Sequence, residues 1–154
     1  MNNSELISIK LSEICGYHPE VSTLVAQLTD QQFTASIVHL SEYVAEFFLK
    51  LHPIRLTKHR GKFFVVAGFR SFQIAELKLQ QDHQMECLLI NSKHNNIIDL
   101  AKTDILFSPL VFSLSTKVAQ QTQKLIEIVG QDFTNENHSD LGSVRSLTRV
   151  HERS

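Results

Sequence analysis

A chain of 154 residues with 42% hydrophobic and 20% charged residues is long enough for one domain with a substantial core. Its formal net charge of −1 excludes a global basic field that would draw it onto DNA or an anionic membrane, so any nucleic-acid contact must come from a local patch. Two Cys without a disulfide framework, no signal-peptide-like start and no apolar run of about 18–20 residues together predict a cytoplasmic protein without a membrane partner.

Ten Phe beside two Tyr and no Trp predict a core filled with Phe. Ile7, Ile9 and Leu11 alternate with polar residues and predict a short strand. Pro19 opens a helix whose apolar positions are Val21, Leu24, Val25 and Leu28. Thr29 and Asp30 are candidates to cap a second helix, which Pro53 ends. Phe33, Ile37, Leu40, Val44, Phe47 and Leu51 form its stripe, with spacings of four and three throughout. Such a stripe serves either core packing or a dimer seam.

After Pro53 the period drops to two, with Ile54 and Leu56 alternating with Arg55 and Thr57. Residues 58–62 form a turn around Gly61, and residues 63–67 return as a strand buried on both faces. Gly68 breaks that strand, and Phe72, Ala75 and Leu79 set a helix. Residues 85–90 give another buried strand. The class is therefore α/β, with α+β as the variant reading. Further on, Ile97, Leu100, Ala101 and Ile105 predict a helix that stops before Pro109. Leu114, Val118, Leu125 and Val129 predict another that ends at Gly130. Residues 1–133 read as a single domain, and 134–154 as an unstructured tail.

The stretch 52–90 carries a family resemblance. Pro53-Ile54 begins a strand, Gly61 marks a turn, and residues 63–67 run into Gly68 and Arg70. A helix with the early Ala75 and the strand at 85–90 follow. In that order these features resemble the N-terminal domain of ParB partition proteins and the sulfiredoxin-like superfamily that shares its fold. The family's Gly-Glu-Arg-Arg motif reads Gly68-Phe69-Arg70-Ser71 here, without the acidic residue and the second arginine. The resemblance implies a fold of short mixed strands with packed helices, a nucleotide site for CTP or ATP with Mg²⁺ at these four residues, and a role in plasmid partition or DNA maintenance. Phe69 stands where sulfiredoxins carry their catalytic cysteine, which excludes that chemistry.

Read on its own terms, Gly68 permits close approach, a helix N-terminus offers N–H donors, Arg70 offers a fork and Ser71 a hydroxyl. The alternative is that Gly68 serves only the turn and Arg70 pairs with Glu76. Arg55, Lys58, His59, Arg60 and Lys62 form a basic hairpin, either a solvated turn or an extension of a patch toward the phosphates of a nucleotide or DNA. Cys15 and His18 lack the further ligands that a metal needs. Asp99 with Asp104, and Glu42 with Glu46, read as solvated helix faces. Arg145, Arg149 and Arg153, with Val144, Leu147 and Val150 between them, could fold against a partner. The function expected is a non-catalytic binding module, dimeric through the long helix. The alternatives are a ligand-free protein-interaction scaffold and a nucleotide hydrolase or kinase, for which Glu76 or Asp82 would have to approach the phosphates.

Overall fold

The computed structural model describes residues 4–26, 37–91, 96–112 and 118–138. Among them a five-stranded mixed sheet is the centre of the molecule, in the order β1-β5-β3-β4-β2. Strand β1 is Ser4–Lys10, β2 Ile14–Tyr17, β3 Arg55–His59, β4 Lys62–Ala67 and β5 Gln84–Ile90. β1 lies antiparallel to β5 from Ser4 opposite Ile90 to Lys10 opposite Gln84. β5 runs parallel to β3, β3 antiparallel to β4, and β4 parallel to β2. With helices packed on it, the sheet gives the α/β class that the change of period at Pro53 predicts.

β2 escapes a pattern reading because it has four residues and includes Gly16, too short a run for alternation to register. The β3–β4 hairpin is tighter than the expected turn at 58–62. Only Arg60 and Gly61 connect the strands, both with positive φ (52° and 77°), as a type I′ turn requires.

The helices follow from short sequence cues. Helix α1, Pro19–Ala26, begins with the proline and buries Val21 and Val25; Leu28 lies outside the described residues. Helix α2, Glu42–Leu51, starts twelve residues beyond the expected cap. Its N-cap is Ser41, whose Oγ accepts the Val44 N–H at 3.1 Å; Thr29, Asp30 and Phe33 lie outside the described residues. Its buried positions are Ala45 and Leu49, whereas Phe47 and Leu51 of the expected stripe are exposed. Of the expected stripe Val44, Phe47 and Leu51 lie on α2 and Ile37 and Leu40 precede it, and the exposure of Phe47 and Leu51 sets aside core packing as the stripe's role.

Helix α3, Phe69–Lys78, packs on β4 and against α2. Helix α4, Ile97–Lys102, does not stop before Pro109. It passes through one wide π turn, Thr103–Phe107, into α5, Ser108–Phe112. In that turn the Ser108 N–H reaches back five residues to the Thr103 carbonyl. A widened turn shifts the register by one, which lets a proline that has no N–H, and that crowds the preceding turn, follow without ending the rod.

Helix α6, Val118–Val129, ends at Gly130, where φ is +100°; Leu114 lies outside the described residues. Its buried residues are Thr122 and Ile126, while Leu125 and Val129 are exposed. The expected tail begins with structure. Helix α7, Gln131–Asn137, docks on the start of α2, where the Ser41 N–H donates to the Asn137 carbonyl at 2.7 Å and Leu40 bridges His138. Arg145, Arg149 and Arg153 lie outside the described residues.

The core is aliphatic rather than Phe-filled. Ile54, Leu56, Val21, Val65 and Val66 are its largest fully buried side chains. Among the described residues, the buried Phe are Phe69 and Phe72, and Phe47, Phe107, Phe112 and Phe133 are exposed. β-branched and leucine side chains fill the interior of a narrow mixed sheet without the ring volume of Phe.

Candidate functional site

The junction between β4 and α3 is built by an apolar strand that is stopped abruptly. Val65, Val66 and Ala67 are buried, and the chain turns at Gly68 with φ 75° and ψ 37°. A Cβ at Gly68 would stand 2.9 Å from the Pro53 carbonyl oxygen and 3.0 Å from the Ile54 Cα. Glycine is therefore required twice, for the left-handed turn and for the close approach of β3. The Phe72 N–H donates to the Gly68 carbonyl at 3.0 Å and closes the first turn of α3.

Two of the donors at this helix start are already engaged. One carboxylate oxygen of Asp104, Oδ2, accepts the N–H groups of Gly68 at 2.9 Å and Phe69 at 3.3 Å. Asp104 comes from the π turn, and a negative charge at a helix N-terminus is favoured by the unpaired N–H groups and the helix dipole. It is half-buried, not a member of a solvated face, and it does not team with Asp99, which is exposed on α4. No sequence signal links position 104 to position 68. The contact follows from how α4 and its π turn pack beside β4.

The other motif residues take separate roles. Phe69 is 2% exposed, and its ring meets the Tyr17 ring edge-on at 5.9 Å, so it is a core side chain. Ser71 is buried and donates its hydroxyl to the His52 carbonyl at 2.6 Å. Arg70 is half-buried and, among the described residues, has no ion pair with Glu76 or another carboxylate. Arg55 is near the same corner, where its guanidinium donates to the Pro53 carbonyl at 3.2 Å.

The basic hairpin does not gather around this corner. Lys58, Arg60 and Lys62 are exposed at the other end of β3 and β4. Five strand steps of about 3.3 Å separate Lys62 from Ala67 by roughly 17 Å. Only Arg55 of the four cations is at the Gly68 end. Lys58 lies over the Phe63 ring, 5.3 Å from its centroid. His59 is instead part of an aromatic cluster, with the His18 ring 5.1 Å away and Phe64 6.0 Å away.

His18 is buried, its Nδ1 accepts the Glu20 N–H at 3.1 Å, and its carbonyl accepts the N–H groups of Val21 and Ser22. It thereby caps α1, whereas Cys15 is exposed. Among the described residues no three His, Cys, Asp or Glu side chains converge as a metal site would need. Glu76 is two turns along α3, about 10 Å from the helix start. Partial desolvation raises its carboxyl from the ordinary value. Burial, and then the charge of Glu76, likewise push the Tyr17 phenol up. Asp82 follows the far end of α3.

Among the described residues no helix is long and apolar enough to cross a membrane. Comparison of the chain with protein-family models and with curated protein sequences finds no match.

Proposed function

We propose that this chain is a cytoplasmic, non-catalytic binding module of the ParB-like kind that works through protein contacts in DNA maintenance, partition or regulation, without holding a nucleotide at residues 68–71. One observation carries this reading. The carboxylate of Asp104 occupies the first two N–H groups of the helix start, Gly68 and Phe69, where a phosphate would dock. The committed Ser71 hydroxyl and the buried Phe69 ring support it, because neither is free to take a ligand. Large apolar side chains left in water point the same way, Phe112 at 83% and Ile128 at 78% exposed among them.

A second reading rests on the same geometry. The N–H pair is aimed at an anion, and Arg70 has no carboxylate partner among the described residues, so a nucleotide phosphate that displaced Asp104 would find donors in place. Calorimetric titration with CTP, ATP and GTP, with and without Mg²⁺, separates the two. No heat from wild type or from Asp104→Asn is the expected result. Binding by wild type that is lost in Arg70→Ala would overturn the protein-contact reading, and binding that appears only in Asp104→Asn would establish the displacement reading. Release of a nucleoside diphosphate would make the chain an enzyme. Asp104→Asn itself lowers stability by about 1 kcal/mol, the usual worth of a helix cap.

A further inference from the structure

Helix α2 turns Ala45 and Leu49 into the body of the protein. Residues two positions away point about 200° round a helix, so the opposite side of α2 should be polar. It is not. Tyr43 is 61% exposed and Leu51 71% exposed, and Phe47 between them completes a stripe spaced by four. The Tyr43 and Phe47 rings pack edge to face at 5.0 Å, and Lys50 Nζ lies 5.5 Å from the Phe47 centroid. Folding alone gives no reason for two aromatic rings and a leucine to stand in water here.

The charges along the stripe select its occupant. Glu42 and Glu46 stand toward the start of the helix, and Lys50 stands near its end. A second α2 laid antiparallel about a two-fold axis at Phe47 brings Tyr43 of each copy level with Leu51 of the other. Each Lys50 then comes level with position 44 of the other copy, between Glu42 and Glu46. A parallel arrangement would set like charges together. The antiparallel one pairs opposite charges and opposed helix dipoles, and it is self-complementary about its two-fold axis.

We infer that the exposed face of α2 binds a second copy of this chain, forming a two-fold antiparallel helix pair. The inference rests on the protein-contact reading above and names its surface. A ten-residue helix offers a contact only about 15 Å long. Unaided, it buries less than the roughly 1,200 Å² of a standard interface, so the dimer is weak and forms in about the micromolar range.

Sedimentation equilibrium across a concentration series tests this. Wild type should rise from the monomer mass toward twice that mass. Leu51→Glu should stay monomeric while keeping its circular dichroism and urea midpoint, since that side chain is outside the core. Lys50→Glu should weaken association roughly fivefold. The swapped pair Glu42→Lys with Lys50→Glu should restore part of it, because position 50 again faces an opposite charge at position 42 while Glu46 stays in place; Glu42 is chosen because Glu46 also faces His83 at 3.8 Å. A wild type that stays monomeric overturns the inference, as does a dimer indifferent to Leu51→Glu and Lys50→Glu. Neither result touches the nucleotide titration: a monomer that binds no nucleotide keeps the protein-contact reading on another surface, whereas nucleotide binding overturns that reading even if the dimer forms.

Discussion

At the scale of single residues, Gly68 is the position where sequence and structure meet most closely. A glycine ending an apolar strand predicts a sharp turn, and the turn is there with φ 75° and with the Pro53 carbonyl so close that an added Cβ would stand 2.9 Å from it. Gly68→Ala should destabilise the protein by about 2–4 kcal/mol, from left-handed strain and from the collision with Pro53, read as a lower urea midpoint. The two cysteines divide just as sharply. Burial pushes the Cys87 thiol up to about 12, while Cys15 is exposed. A thiol reagent at neutral pH should label one cysteine per native chain, Cys15, and two once the chain is unfolded. Two reactive thiols in the native state would contradict the buried strand. The roles of Ser71 and Asp104 were not legible in the same way. Their partners, the His52 carbonyl and the Gly68 N–H, are 19 and 36 residues away, and no local pattern encodes such a contact.

At the scale of elements, periodicity located most helices and strands but does not decide which side of a helix faces inward. In α2 and α6 the apolar spacing is helical, yet the buried residues are Ala45 and Leu49 in one and Thr122 and Ile126 in the other. Small or polar Ala45 and Thr122 share the inward face with Leu49 and Ile126, while Phe47, Leu51, Leu125 and Val129 are turned out. One junction between elements carries a pH dependence. His18 ties the start of α1 to the β3–β4 hairpin, through the Glu20 N–H on its Nδ1 and through its ring against His59 and Phe64. Burial holds its pKa below the ordinary 6.5, with the nearby His59 lowering it further and Glu20 opposing. The folded state therefore favours neutral His18, and below 6.5 the unfolded chain binds the proton more readily. The contribution to stability is complete above 6.5 and is lost as pH falls through the lower folded value. The urea midpoint should drop between about pH 7.5 and about pH 5.5, and His18→Gln should shrink that drop. An unchanged difference in the variant would remove His18 from the account.

At the scale of the whole molecule, the change of period at Pro53 and the glycine breaks were enough to determine an α/β chain with a β-hairpin, a following helix and a buried strand. These are local decisions, set by backbone geometry and by side-chain alternation within a few residues. Other properties belong to the tertiary structure alone. The strand order β1-β5-β3-β4-β2, the short β2 and the docking of α7 on Ser41 depend on contacts between distant segments. So does the separation of the basic hairpin tip from Arg70 by the length of a strand. The most consequential is Asp104, carried by a π turn to the donors that the sequence offers to a phosphate. A sequence can show that a helix start is able to receive an anion, because that ability is local. Which anion reaches it first is decided by packing, since a carboxylate held a hydrogen bond away by its own fold competes at a far higher effective concentration than a free ligand.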